Sequence, residues 1–66
     1  MNGKLLYYRG YSGDVHYSQD DSCYYGTVRN IKGLVTYEGK TLEELEEDFY
    51  GAVDDYLEYQ QNLKEQ

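Results

Sequence analysis

Thr41-Leu42-Glu43-Glu44-Leu45-Glu46-Glu47-Asp48-Phe49 opens the most strongly patterned part of the chain. Thr41 followed three residues later by Glu44 is a capping box. The hydroxyl accepts from the backbone N–H at the third helical position, and the carboxylate reaches back toward the N-cap. Leu42, Leu45, Phe49, Ala52, Val53, Tyr56, Leu57 and Leu63 then recur at helical spacing. At 100° per residue they fill a wedge roughly 120° wide. The spacing predicts an amphipathic helix running to about residue 62, roughly 30 Å long. A single apolar stripe of this kind needs an apolar face to cover.

The residues before it supply that face. Residues 4–11 are rich in Leu and Tyr and read as a first strand. Ser12 and Gly13 carry turn chemistry. Residues 14–18 alternate, with Val15 and Tyr17 on one side. Gln19-Asp20-Asp21-Ser22 has hairpin-loop length, and residues 23–28 form the next strand. Placing Tyr17 opposite Tyr24 puts Val15, Tyr17, Tyr24 and Val28 on the buried face. His16, Cys23, Tyr25 and Thr27 then lie on the other face. Gly26, on the buried face, is expected to let the covering helix approach closely. Residues 34–37 read equally as a fourth short strand or an ordered loop. The expected architecture is α+β: a three-stranded antiparallel sheet, with that short fourth piece, covered on one face by one long C-terminal helix.

Sixty-six residues are expected to form a single domain. Ten of the hydrophobic residues are Tyr, whose phenolic oxygens seek partners at the edge of a core. The purely apolar core is therefore thin, and small scaffolds of this size usually need a staple. Cys23 is alone, so no disulfide can form within the chain, and one Cys with one His cannot make a structural zinc site. Association with a second chain is the staple expected. The lone Cys and the lack of a leader point to a reducing cytosol. The apolar runs are too short for a transmembrane helix.

Six Lys and Arg stand against thirteen Asp and Glu, a net charge of −7. Glu43, Glu44, Glu46, Glu47, Asp48, Asp54, Asp55, Glu58 and Glu65 all follow Thr41, against Lys64 alone; the preceding residues nearly balance. The acidity therefore belongs to the helix, on the side opposite its apolar wedge. Glu43/Glu47, Glu44/Asp48 and Asp54/Glu58 are like-charge pairs four residues apart, each costing a few tenths of a kcal/mol. Such a face is either a solvated surface or a surface for a basic partner. Direct nucleic-acid binding would need a basic patch and is not expected.

Catalytic chemistry finds little support. In the expected register Cys23 and His16 are diagonal neighbours, about 7–8 Å apart, too far for a nucleophile–base dyad. The carboxylates sit on an exposed helix with no cleft to shift a pKa. The seven Gly residues read as scattered turn residues rather than a phosphate loop. No catalytic residue, cofactor or metal is expected.

Tyr8-Arg9-Gly10-Tyr11-Ser12-Gly13-Asp14-Val15-His16-Tyr17-Ser18 resembles the opening hairpin of HicB-like antitoxins. Tyr24-Tyr25-Gly26-Thr27-Val28 and Leu34-Val35-Thr36-Tyr37-Glu38-Gly39 follow in the family's order. The segment opened by Thr41, with Ala52-Val53-Asp54-Asp55-Tyr56-Leu57-Glu58 within it, is similar to the family's helix. The resemblance spans about residues 5–59. It implies a degraded RNase H-like domain without catalytic carboxylates, acting as the antitoxin of a type II toxin–antitoxin pair. The implied partner is a HicA-type mRNA interferase, a small basic RNA-cleaving toxin whose active surface the antitoxin covers. Family members usually continue into another strand and a helix-turn-helix or ribbon-helix-helix DNA-binding domain. The sequence ends at Gln66, so no C-terminal DNA-binding domain and no operator binding are expected of it, and a sheet edge is expected to stay open for a second copy.

These readings converge on a cytoplasmic, non-enzymatic, homo-oligomeric domain that neutralises a basic toxin. The partner-binding candidates are Glu43, Glu47 and Asp54 on the helix, Asp20 and Asp21 at the hairpin tip, and Tyr25 on the outer sheet face. The alternative is a stand-alone homo-oligomeric adaptor without a toxin. A residual nuclease would need several convergent carboxylates and two metals, whereas the expected strands carry only Asp14.

Overall fold

The computed structural model describes residues 4–64, with side chains through residue 61; the side chain of Leu63 lies outside the described residues. Five short strands precede one helix: β1 (Leu5–Tyr8), β2 (Tyr11–Asp14), β3 (His16–Ser18), β4 (Cys23–Thr27), β5 (Thr36–Gly39) and α1 (Leu42–Lys64). β1 pairs with β2, and β3-β4-β5 form a second antiparallel sheet. An antiparallel bridge between Gly13 and Val28 ties the two together. The architecture is α+β, with the helix packed on the sheets. No helix among the described residues is long and apolar enough to cross a membrane.

The first strand and its turn differ from expectation. The chain reverses at Arg9-Gly10 instead of Ser12-Gly13, with Tyr8 opposite Tyr11. Arg9 and Gly10 both take left-handed φ, 53° and 86°, as a two-residue type I′ hairpin turn requires. Gly13 is buried within β2, where a Cβ would press into the Tyr37 hydroxyl and lie 2.8 Å from Phe49 Cε1. Both dipeptides have turn chemistry, and burial under Tyr37 and Phe49 selects the earlier one.

The second hairpin keeps the expected register, Tyr17 opposite Tyr24. The segment left open between strand and loop becomes β5, two residues further along than 34–37. It pairs with β4 through Tyr24↔Gly39, Tyr25↔Glu38, Gly26↔Tyr37 and Thr27↔Thr36.

Leu45, Phe49 and Val53 of the helix are fully buried against Leu6, Val28 and Tyr37. Val15, Tyr24, Ala52 and Leu57 pack around this cluster. Tyr17, expected in the core, is 52% exposed and rests edge-on against Tyr24 with ring centroids 4.9 Å apart.

Gly26 also has another role than the one expected. A Cβ there would press into the Asp14 carbonyl and lie 2.7 Å from the Tyr37 hydroxyl, so the space it leaves is filled by Tyr37 and not by the helix. Close helix approach occurs at Gly39, where a Cβ would lie 2.7 Å from the backbone carbon of Glu44. The capping box forms with one adjustment. The Glu44 N–H donates to Thr41 Oγ1 at 3.1 Å, and Glu44 Oε1 accepts from the Lys40 N–H at 3.0 Å, one residue before the N-cap.

Candidate partner-binding surface

The exposed part of α1 divides into two flanks and a crest. One flank lies beside the β1–β2 turn. There Asp54 Oδ1 pairs with Arg9 Nη1 at 2.9 Å, and Asp54 Oδ2 accepts from the Tyr8 hydroxyl at 3.3 Å. The Tyr8 ring packs on Tyr50 with centroids 4.6 Å apart. Partial burial, then the hydrogen bond and negative charge of Asp54, hold the Tyr8 phenol above its ordinary range. Asp54, expected as an open contact for a basic partner, is therefore engaged within the chain.

The crest keeps its charge exposed. Glu43, Glu47, Asp55 and Glu58 are exposed. Among the described residues, Arg9 at Asp54 is the only Lys or Arg in a salt bridge with a helix carboxylate. The three like-charge pairs differ in what relieves them. Glu44 caps Lys40, and its mate Asp48 accepts from the Glu38 N–H at 2.9 Å. Asp54 has Arg9. Glu43 and Glu47 have no such relief among the described residues, so the acidic face seen on a helical wheel narrows to these two with Asp55 and Glu58.

The other flank meets the loop before β5 in an open groove of about 530 Å³. Leu34 and Val35 form the loop wall, and Gly51, Ala52, Tyr56 and Tyr59 belong to the helix wall. Asp48 and Asp55 stand on the helix side and Lys32 on the loop side. Leu34 is 80% exposed and Tyr59 60%. Gly51, expected among the turn glycines, lies within the helix. A Cβ there would meet nothing within 4 Å. Glycine at an exposed helical position costs about 1 kcal/mol relative to alanine, and the packing of this chain does not require it.

The outer sheet face is separate from these surfaces. Tyr25 lies there as expected, its ring stacked on His16 with centroids 5.2 Å apart. His16 Nε2 is 3.4 Å from Asp14 Oδ1, the same oxygen that accepts from the Thr27 N–H at 2.8 Å. Cys23 pairs with Ser18 and His16 with Tyr25, which keeps Cys23 and His16 diagonal. Asp20 and Asp21 are exposed in the hairpin loop, where the Asp21 N–H donates to Ser18 Oγ at 3.3 Å. Among the described residues no group of three or more His, Cys, Asp or Glu is placed to hold a metal.

The structure thus leaves Glu43 and Glu47 unpaired among the described residues, ties Asp54 to Arg9, and leaves Tyr25 and the Asp20–Asp21 pair on other surfaces. The groove was missed in the sequence. Its signal was Gly51, a helix-weakening residue within an otherwise strong helical pattern. Comparison of the chain with protein-family models, with curated proteins and with solved structures finds no match.

Proposed function

We propose that this chain is a non-enzymatic, antitoxin-like domain that binds and neutralises a small basic HicA-type mRNA interferase. The observation that carries the reading is the unrelieved crest of α1, where Glu43, Glu47, Asp55 and Glu58 stand exposed without a cation bound to them among the described residues. Repulsion along a helix costs the fold a little. A single-sign surface returns that cost as faster encounter with a partner of opposite charge. An RNA-cleaving protein must present positive charge to phosphates, and an acidic cover competes for the same surface. The ordered HicB-like segments supply the identity of the partner class.

The test is co-expression of the chain with a HicA-type interferase, followed by size-exclusion chromatography and an RNA-cleavage assay. A stable complex with cleavage suppressed near equimolar ratio is expected. Undiminished cleavage at excess antitoxin, with no complex, would refute the reading.

A second reading, a stand-alone homo-oligomeric adaptor, is favoured by the outer sheet face. No element among the described residues packs over it, and it exposes Tyr7 (70%) and Tyr25 (45%).

A further inference from the structure

We infer that the groove between residues 32–36 and α1 seats an arginine-bearing, amphipathic segment of the basic partner, with Gly51 in its helix wall. This rests on the antitoxin-like reading and names the contact surface within it.

Three independent features meet there. Asp48, Gly51 and Asp55 are spaced three and four residues apart, so they share one stripe of the helix. Gly51 leaves bare backbone at the middle of that stripe, with open space above it. The chain's own packing does not cover that surface, so a partner's side chain can approach the helix backbone there. The walls on either side, Leu34 and Tyr59, are apolar and exposed.

Charge selects the occupant. Asp55 is bound to no cation among the described residues, and Asp48 uses only Oδ2 for the Glu38 N–H. Lys32 on the opposite lip offsets one carboxylate, leaving the rim negative. Apolar walls below a negative rim match a long aliphatic stem ending in a cation. A guanidinium offers several donors to paired carboxylates and is more weakly hydrated than an ammonium. A second copy of this chain fits less well, because a net charge of −7 would be brought against the same acidic helix.

The test uses the full chain, labelled with ¹⁵N, and two synthetic eight-residue peptides of equal charge, one alternating Arg with Leu and one alternating Arg with Ser. The Arg–Leu peptide should shift the amides of Leu34, Gly51 and Ala52 more than those of Glu43 and Glu47. It should bind at least about fivefold more tightly than the Arg–Ser peptide, because its Leu side chains leave water in the groove. Gly51→Leu should melt no lower than the parent, since its side chain enters open space, yet lose that preference. Equal affinity for the two peptides, shifts centred on Glu43 and Glu47, or an unchanged preference in Gly51→Leu would overturn the inference. A parent that neutralises the interferase while its groove ignores the Arg–Leu peptide would overturn the groove alone. A parent that binds the peptide in the groove but leaves the interferase active would refute the antitoxin reading, and the occupant assigned here with it.

Discussion

The Tyr37 hydroxyl donates a 2.7 Å hydrogen bond to the backbone carbonyl of Asp14, joining β5 to the end of β2 beneath the helix. The bond fits only because Gly13 and Gly26 carry no Cβ to occupy the space. Burial, then the nearby Asp14 carboxylate, push the Tyr37 phenol well above its ordinary value of 10.0. The folded state therefore holds this proton where the unfolded state releases it. The stabilisation is complete below about pH 10 and is lost as pH rises beyond it. Tyr37→Phe should cost about 1–3 kcal/mol at neutral pH, because it strands a buried carbonyl. It should also flatten the alkaline fall in stability. Urea melts of both proteins from neutral to strongly alkaline pH check this; parallel pH profiles would contradict it.

Phe49 is fully buried beside Tyr37, with ring centroids 5.1 Å apart. Phe49→Ala should cost about 3–5 kcal/mol, enough to unfold much of a domain this small. Gly26→Ala should do comparable damage by the opposite route, because its new methyl group meets a backbone carbonyl that cannot turn aside. Far-ultraviolet circular dichroism with urea reads both; a midpoint near the parent's for either would mean the packing around Tyr37 differs from that described.

The helix was legible because its signals are local: the Thr41 cap, the Glu44 box and the stripe through Leu45, Phe49 and Val53. The Tyr17–Tyr24 register was legible because a short polar loop fixes it. The position of the first turn was not, since Arg9-Gly10 and Ser12-Gly13 have equivalent turn chemistry and only the burial of Gly13 beneath Tyr37 and Phe49 separates them. The role of Gly26 was hidden for the same reason, as its neighbour Tyr37 comes from a strand the pattern left unassigned. Of the candidate contacts, Glu43 and Glu47 stay together on the crest. The pairing of Asp54 depends on Arg9, 45 residues away, which a helical wheel cannot register.

The Arg9–Asp54 pair is solvent-exposed, so its worth is small. Asp54→Asn should lower stability by less than about 1 kcal/mol, with the difference shrinking in high salt. Thermal melts at low and high ionic strength check this. A loss several times larger would mean that the pair, with Tyr8, anchors the hairpin to the helix.

Self-association through the outer sheet face predicts a dimer or larger assembly at micromolar concentration. Tyr7→Ser combined with Tyr25→Ser should shift it toward monomer and lower the melting temperature, because both side chains are exposed within one chain and association then no longer stabilises the fold. Sedimentation equilibrium distinguishes the states, and a parent chain that sediments as a 7.8 kDa monomer would contradict the proposal.

Antitoxin-like function requires the acidic crest of α1 to recruit a basic toxin. The most direct measurement is the association rate of the chain with a HicA-type interferase as a function of salt, for the parent and for Glu43→Lys/Glu47→Lys. Asp54 is left intact so that its pairing with Arg9 is undisturbed. The parent should associate fast at low salt and slow steeply as the screening length shortens to about 8 Å near physiological ionic strength. The double variant should associate at least about tenfold more slowly at low salt and converge on the parent at high salt. Equal rates for the two proteins at low salt would show that the crest is only a solvated surface.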